Sequence, residues 1–377
     1  MPDINAFGLL KHFATIPDPR QPRGIRHNLA DIICIAILAV ISNANTFPEI
    51  HHYADTKQNW LKTFLELPNG IPSIDTFERV FRILKPSVWQ SRFLKWTQEL
   101  VLPDLAMNED EILAIDGKTS RRARNADQHG LHTVSVWSSQ YEITLGQASV
   151  PEKTNEITVI PELLEMIQPI GAVVTIDAMG TQKAIAWTIR EHHAHYVLAL
   201  KDNHPKLFAD STWLFEHADG LNWTGIEHSY AKTLEQGHGR VETRECWVLT
   251  HLEILDEPQS WRDLTSVVRV RGTREVKGVV SVEDRFFITS LPSDAGRIMR
   301  AVRFHWGIEN GLHWVLDVAF DEDQSRVRVG YGQANLVAVR HLALSVLKRD
   351  KSVKGGVATK RFRAALDDAY VLRLLKS

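Results

Sequence analysis

Cysteine is almost missing: Cys34 and Cys246 are the only two in 377 residues, far apart and with no CxxC pair. That excludes a disulfide scaffold and a cysteine-built zinc site. Long apolar runs are missing too. The longest, "IICIAILAVIS" from Ile32 to Ser42, falls short of the roughly 18 residues that would suggest a membrane span, and reads as a buried helix. With no leader-like start either, the expectation is a reducing compartment, the cytoplasm by default, and no membrane partner. No repeat or low-complexity tract is visible, and neither sign of charge dominates: 44 Lys+Arg against 46 Asp+Glu leave −2. Such a sum gives no whole-chain attraction to nucleic acid.

The sum hides an asymmetry. From Arg340 to the end, ten Lys/Arg face Asp350, Asp367 and Asp368, which gives +7 and leaves −9 on the rest. A basic tail on an acidic body is either a solvated helix face or a nucleic-acid backbone contact. With 44% hydrophobic residues the chain can bury a large core, in two or three structural units.

Residues up to about 105 read as helical: an apolar segment after His27, another from Phe47 to Leu67, then "GIPSIDTFERVFRILKP". In the last, Ser73 or Asp75 can cap a helix with Phe77, Val80, Phe81 and Leu84 on one face and Glu78, Arg79, Arg82 and Lys85 outward. It suits a helix-turn-helix DNA reader or any surface helix. The period then changes. "EILAID" predicts a strand, and "HTVSVWSSQYEITLGQASV" two more with a turn near Ser138–Tyr141. "NEITVIPELLEMI" predicts a helix with Pro161 in its first turn, "GAVVTIDAMG" a buried strand, "TQKAIAWTIREHH" a helix and "HYVLALK" a strand. The order β-β-β-α-β-α-β implies a mixed sheet with helices on both faces. Residues 205–290 break the rhythm with strand-like pieces and predict a β-rich insertion. From Ser293, taken as N-cap, a helix resumes with Ile298, Val302, Ile308, Leu312 and Val315 in helical spacing.

The chemistry concentrates where strands end. "AIDGKTSRR" carries an apolar strand to Asp116 and then turns into Lys118, Arg121 and Arg122, with Arg124 close behind; a second strand ends on Asp177. If those strands are neighbours, their carboxylates share one sheet edge, which is unfavourable without a cation. The late helix adds Glu309 with His305 and His313 four residues to either side. Phosphodiester chemistry asks for such a set: two divalent ions, one on the attacking and one on the leaving oxygen, held by hard carboxylates that suit Mg²⁺ or Mn²⁺. The lysine and arginines beside Asp116 then serve the substrate backbone, with Lys201 at another strand end as a further candidate. His305 and His313 position Glu309 or contact DNA, in preference to holding zinc. Asp321, Glu322 and Asp323 read as a solvated turn, with Glu322 or Asp323 the fallback should Glu309 fail.

Five stretches, "AIDGKTSRR", "TIDAMGTQ", "LALKDNHPKL", "GHGRVETR" and "HWGIENGLHWVLDVAFDEDQSRVR", in this order resemble the H-repeat-associated branch of the bacterial DDE transposases, the proteins of ISAs-type insertion sequences and of Rhs elements. The resemblance covers nearly the whole chain. It implies an RNase H-like α/β core binding two Mg²⁺ ions and acting on the ends of a mobile element. Asp116, Asp177 and Glu309 match the family's two aspartates and glutamate. The wider superfamily surrounds its glutamate with tyrosine, arginine and lysine; here those places hold Val302, His305 and Leu316, with Arg303 beside the arginine's place. The implied division is a helical, DNA-binding 1–105, a core over 106–204 and 291–345 split by the insertion, and a basic tail over 346–377. The implied partners are terminal inverted repeats and target DNA, bound by a homodimer at the nucleoid. The DNA contacts fall to Lys118, Arg121, Arg122, Lys201, Arg303, His305 and His313. Two alternatives keep the residues but change the function: a catalytically silent DNA-binding descendant, and a metal-dependent nuclease without strand transfer.

Overall fold

A computed structural model describes residues 8–23, 25–105, 111–120, 122, 130–150, 155–237 and 239–376. Five helices, α1 (Gly8–Ala14), α2 (Leu29–Ile41), α3 (Phe47–Thr56), α4 (Gln58–Leu61) and α5 (Ile74–Ile83), lead to the long α6 (Pro86–Leu105). Then come β1 (Ile112–Thr119), β2 (His132–Ser138), β3 (Ile143–Ser149), α7 (Ile160–Ile167), β4 (Val173–Ile176), α8 (Lys183–Glu191) and β5 (His195–Leu200). They follow the expected β-β-β-α-β-α-β order. The segment after Lys201 opens with a helix that strand-like patterning did not reveal, α9 (Pro205–Gly220), before β6 (Ser229–Gly237), β7 (Arg240–Leu249), β8 (Ser266–Val276) and β9 (Val279–Thr289). The chain ends in α10 (Ala295–Ile308), a π-helical turn (Glu309–His313), α11 (Trp314–Phe320), α12 (Gly332–Arg349), α13 (Val357–Leu366) and α14 (Asp368–Lys376).

These elements form two compact units. One comprises Met1–Asp104, Gly117–Thr154 and Glu309–Ser377; the other Leu105–Asp116 and Asn155–Ile308. The first is built around α2, whose sequence LADIICIAILAVI is apolar on every side and correspondingly buried from Leu29 to Ile41 apart from Ala30. It packs against α1, α3, α12 and α13, and α12 also packs on β3, the antiparallel partner of β2. Part of the basic C-terminal segment belongs to this core. Arg340, Lys360 and Arg361 are 1%, 6% and 0% exposed, so three of the ten late cations serve the interior and not the solvent.

The second unit holds a sheet in the order β1-β4-β5-β9-β8-β7-β6. β1, β4 and β5 run parallel, and β9 joins β5 antiparallel. The strands of the expected β-rich insertion extend the core sheet through β9. The three parallel strands are apolar on both faces, as a sheet covered by helices requires. Ile112, Val173 and Val197 pack with Val248, Val268 and, from α10, Ile298, Met299 and Val302. α10 is capped by Asp294, whose Oδ1 accepts from the Arg297 N–H at 3.0 Å, one residue later than the expected Ser293. Asp294 wins because its carboxylate reaches the third amide of the first turn and suits the helix's positive end.

Candidate metal-binding and nucleic-acid site

The parallel register pairs Ile115 with Ile176, so the next residues, Asp116 and Asp177, follow at the same level. Both are half-buried. Asp177 is held by its own loop: its Oδ1 accepts from the amides of Met179 at 3.1 Å and Gly180 at 3.3 Å. The buried Thr181 hydroxyl donates to the Ala199 carbonyl at 2.7 Å, which pins the loop to β5. The side chain of Thr175, two residues before Asp177, meets His305 Nδ1 at 2.9 Å. That bond fixes α10 one helical turn before Glu309.

Glu309 opens the π-helical turn, a feature that inserts one residue into the helical ladder and gathers at functional sites. Its carboxylate is half exposed and lies 3.7 Å from Nδ1 of the buried His313. Gly311 lets this turn sit tight: a Cβ there would stand 3.0 Å from the Trp137 ring. Glu309 and His313 belong to the first unit, Asp116 and Asp177 to the second. His313, whose role in the sequence is positioning or DNA contact, offers a ring nitrogen beside the Glu309 carboxylate, while His305 is bonded to Thr175.

The cations divide. Arg121 and Arg124 lie outside the described residues. Arg122, Lys201 and Arg303 are exposed, and Arg303 meets Glu235 at 3.4 Å in a surface pair that water screens well. Lys118 is only 11% exposed and is engaged by three carboxylates, Asp317 at 2.7 Å, Asp323 at 3.2 Å and Glu322 at 3.5 Å. Burial works against its charge, yet Glu322, Asp317 and Asp323 outweigh it and raise the Lys118 pKa. Burial raises the pKa of Glu322, against the opposing Arg340 and Lys118. Sequence reading treats Asp321–Asp323 as a solvated turn, but Glu322 is 2% exposed. Asp317 is not among the residues the sequence singles out; its signal is its place four residues after His313.

His341, on α12, is 2% exposed with Nδ1 3.5 Å from the Thr144 hydroxyl. Burial, with the nearby His313, Lys118 and Arg340, lowers its pKa from 6.5 to about 3. The unfolded chain therefore takes up this proton first as pH falls. The stability that neutral His341 supports is complete above about pH 6.5 and is lost progressively towards pH 3. Urea unfolding at pH 7 and pH 5 should show the stability difference between wild type and His341→Gln narrow by about 2 kcal/mol at the lower pH. An unchanged difference would mean that His341 does not fold neutral.

Comparison with known proteins decides the lineage. Residues 107–346 match the transposase DDE domain and residues 10–97 the DDE_Tnp_1-associated domain. The chain belongs to the DDE transposase family. Its relatives include YncI of Escherichia coli O157:H7, 36% identical over 98% of this chain and 94% of that protein. The H repeat-associated protein YhhI of E. coli (strain K12) is 33% identical over 97% of both chains, which places this DDE transposase family member in the H-repeat branch. A shorter relative of the same strain, named inactive transposase YbfQ, is 39% identical over 19% of this chain and 86% of its own length. Among solved structures, a piggyBac transposase synaptic complex with hairpin DNA is similar at a TM-score of 0.40 and 11% identity over 99% of this chain and 79% of that one; so remote a likeness says nothing about function here. The family gives the chain its RNase H-like α/β core and implies DNA as partner and use of a divalent metal. Among the described residues no helix is long and apolar enough to cross a membrane.

Proposed function

We propose that this chain is the transposase of an insertion sequence, cutting a phosphodiester at each element end and transferring the freed 3′-hydroxyl to target DNA. The observation that carries the reading is the shared edge: β1 and β4 in the register Ile115–Ile176, with Asp116 and Asp177 next in line. Adjacent carboxylates repel each other unless a cation lies between them. The set Asp116, Asp177 and Glu309 is rich in hard oxygen, which fits Mg²⁺ with Mn²⁺ as substitute, and His313 adds one ring nitrogen. Two such ions, when bound, offset the charge that develops on the attacking and leaving oxygens.

The chain's own groups do the rest. Thr175 holds His305 and with it the helix that carries Glu309. Arg122, Lys201 and Arg303, each exposed to solvent, hold phosphates of the two strands, and the sequence adds Arg121 to them. A phosphate approaching Lys118 must compete with its three carboxylates, so that lysine serves first to tie the β1 end to α11. Pairing two element ends calls for a homodimer on DNA.

A second reading, a DNA-binding descendant that has lost catalysis, is favoured by one observation, the inactive transposase among the relatives. Mg²⁺-dependent nicking and joining of a labelled terminal-repeat duplex, with wild type beside Asp116→Ala, tests both. Joined product that disappears in the variant is the expected result. Nicking without joining would leave a nuclease, and binding without nicking in Mg²⁺ and Mn²⁺ alike would leave the silent descendant.

A further inference from the structure

The motif "DQSRVR" remains outside the function derived so far. In space, Arg326 and Arg328 meet Arg79 and Arg82 of α5 around a cavity of about 440 Å³ that also takes in Asp75 and Glu78. The helix presents Arg79 and Arg82 three residues apart, on the face opposite the buried Phe77, Val80 and Phe81. Arg326 and Arg328 line the same cavity from the irregular segment that follows the turn at Glu322–Gln324. All four arginines are exposed.

The two halves are locked together. The Tyr331 amide donates to the Arg82 carbonyl at 2.9 Å. Asn335 Nδ2 donates to the Phe81 and Leu84 carbonyls, both at 2.7 Å, closing the end of α5. Gly330, at φ +55°, makes the approach possible: a Cβ there would lie 2.5 Å from Arg82. The two backbones that carry the arginines are thereby held together before any ligand arrives, which limits the backbone ordering cost on binding.

What sets them apart is their pairing. On β7–β9, Arg240, Arg244, Arg271, Arg274 and Arg285 each meet a carboxylate within 4.0 Å. Among the described residues, none of Arg79, Arg82, Arg326 and Arg328 forms an ion pair, although Asp75 and Glu78 are at hand; Arg328 donates only to the Arg122 carbonyl, at 3.4 Å. Four unpaired guanidinium forks against two carboxylates suit the bidentate acceptors of a phosphate row. We propose that Arg79, Arg82, Arg326 and Arg328 form a binding groove for the phosphodiester backbone of duplex DNA, distinct from the Asp116–Asp177–Glu309 site. The proposal rests on the transposase reading for its ligand, and it assigns the groove a sequence-independent grip on the duplex.

Fluorescence anisotropy of the full chain on a random-sequence duplex without divalent metal tests this, with R79Q/R82Q and R326Q/R328Q beside wild type. These exposed changes leave the core intact. Each pair should weaken binding about tenfold or more and reduce the slope of log affinity against log salt by about 1.8, the share of two phosphate contacts. Slopes and affinities unchanged within about twofold for both pairs would overturn the proposal, as would displacement of the duplex by millimolar inorganic phosphate, which marks a small-anion site. Mg²⁺-dependent nicking by the same samples separates the two questions. Nicking with unchanged binding in both variants overturns the groove alone; weakened binding without nicking in any sample upholds the groove and overturns the catalytic reading.

Discussion

Asp177→Asn is expected to lower nicking of an element-end duplex by about 10²–10⁴-fold, the several kcal/mol that a lost metal carboxylate removes from charge stabilisation, while duplex binding stays within about twofold. The substitution is chosen for what it preserves. Asparagine keeps an Oδ1 acceptor for the Met179 and Gly180 amides, so the loop keeps its shape and only the negative charge goes. Asp177→Ala should lose nicking as well, but at a further cost in stability, because two loop amides lose their partner. Single-turnover nicking and anisotropy on the same protein separate the effects. Wild-type nicking by Asp177→Asn would remove Asp177 from the proposed catalytic residues.

The second large effect concerns the C-terminal cations. Arg361 is 0% exposed. Its guanidinium donates to the carbonyls of Val40 at 2.8 and 3.1 Å and Ala44 at 3.1 Å, to Asn45 Oδ1 at 2.9 Å, and to the Ala319 carbonyl. It also lies 4.0 Å over the Phe320 ring. Val40 lies in the last turn of α2, one residue before its end at Ile41, and Ala44 follows the helix, so these carbonyls belong to a buried helix terminus whose last carbonyls have no helical amide to receive them. Arg361→Met fills most of the volume and leaves the carbonyls unmet. The expected cost is about 3–5 kcal/mol in urea unfolding. Lys354→Gln, on the exposed loop before α13, should stay within about 0.5 kcal/mol. A small loss of stability with a large loss of DNA affinity in Arg361→Met would restore the picture of a solvated DNA-binding tail.

Much of the fold was legible because its signals are local. The apolar run of α2, the strand ending at Asp116, the four-residue β4 before Asp177 and the helical spacing from Ile298 to Val315 depend on neighbours within a turn or a pleat, and each formed where periodicity placed it. Order along the chain also anticipated a mixed sheet, since a βαβ unit such as β4-α8-β5 brings successive parallel strands together; that β1 lies beside β4, with β2 and β3 between them in sequence, was decided by the fold. α9 escaped because its apolar residues do not separate cleanly onto one face.

The sequence alone therefore determined most of the elements and their order, α9 apart, and which three carboxylates are candidates for the chemistry, because those facts follow from local periodicity and from where strands and helix carry their charged residues. Only the tertiary structure decided which charges are spent and which are available. Lys118 looks like a free cation in "DGKTSRR" and is held by carboxylates about 200 positions later. Arg361 looks like part of a basic tail and caps a helix from the other end of the chain. Arg79 and Arg326, in unrelated motifs, share one groove. The physical reason is that a charge's cost and use depend on the water and partners around it, and for these residues the partners are brought by the fold from hundreds of residues away.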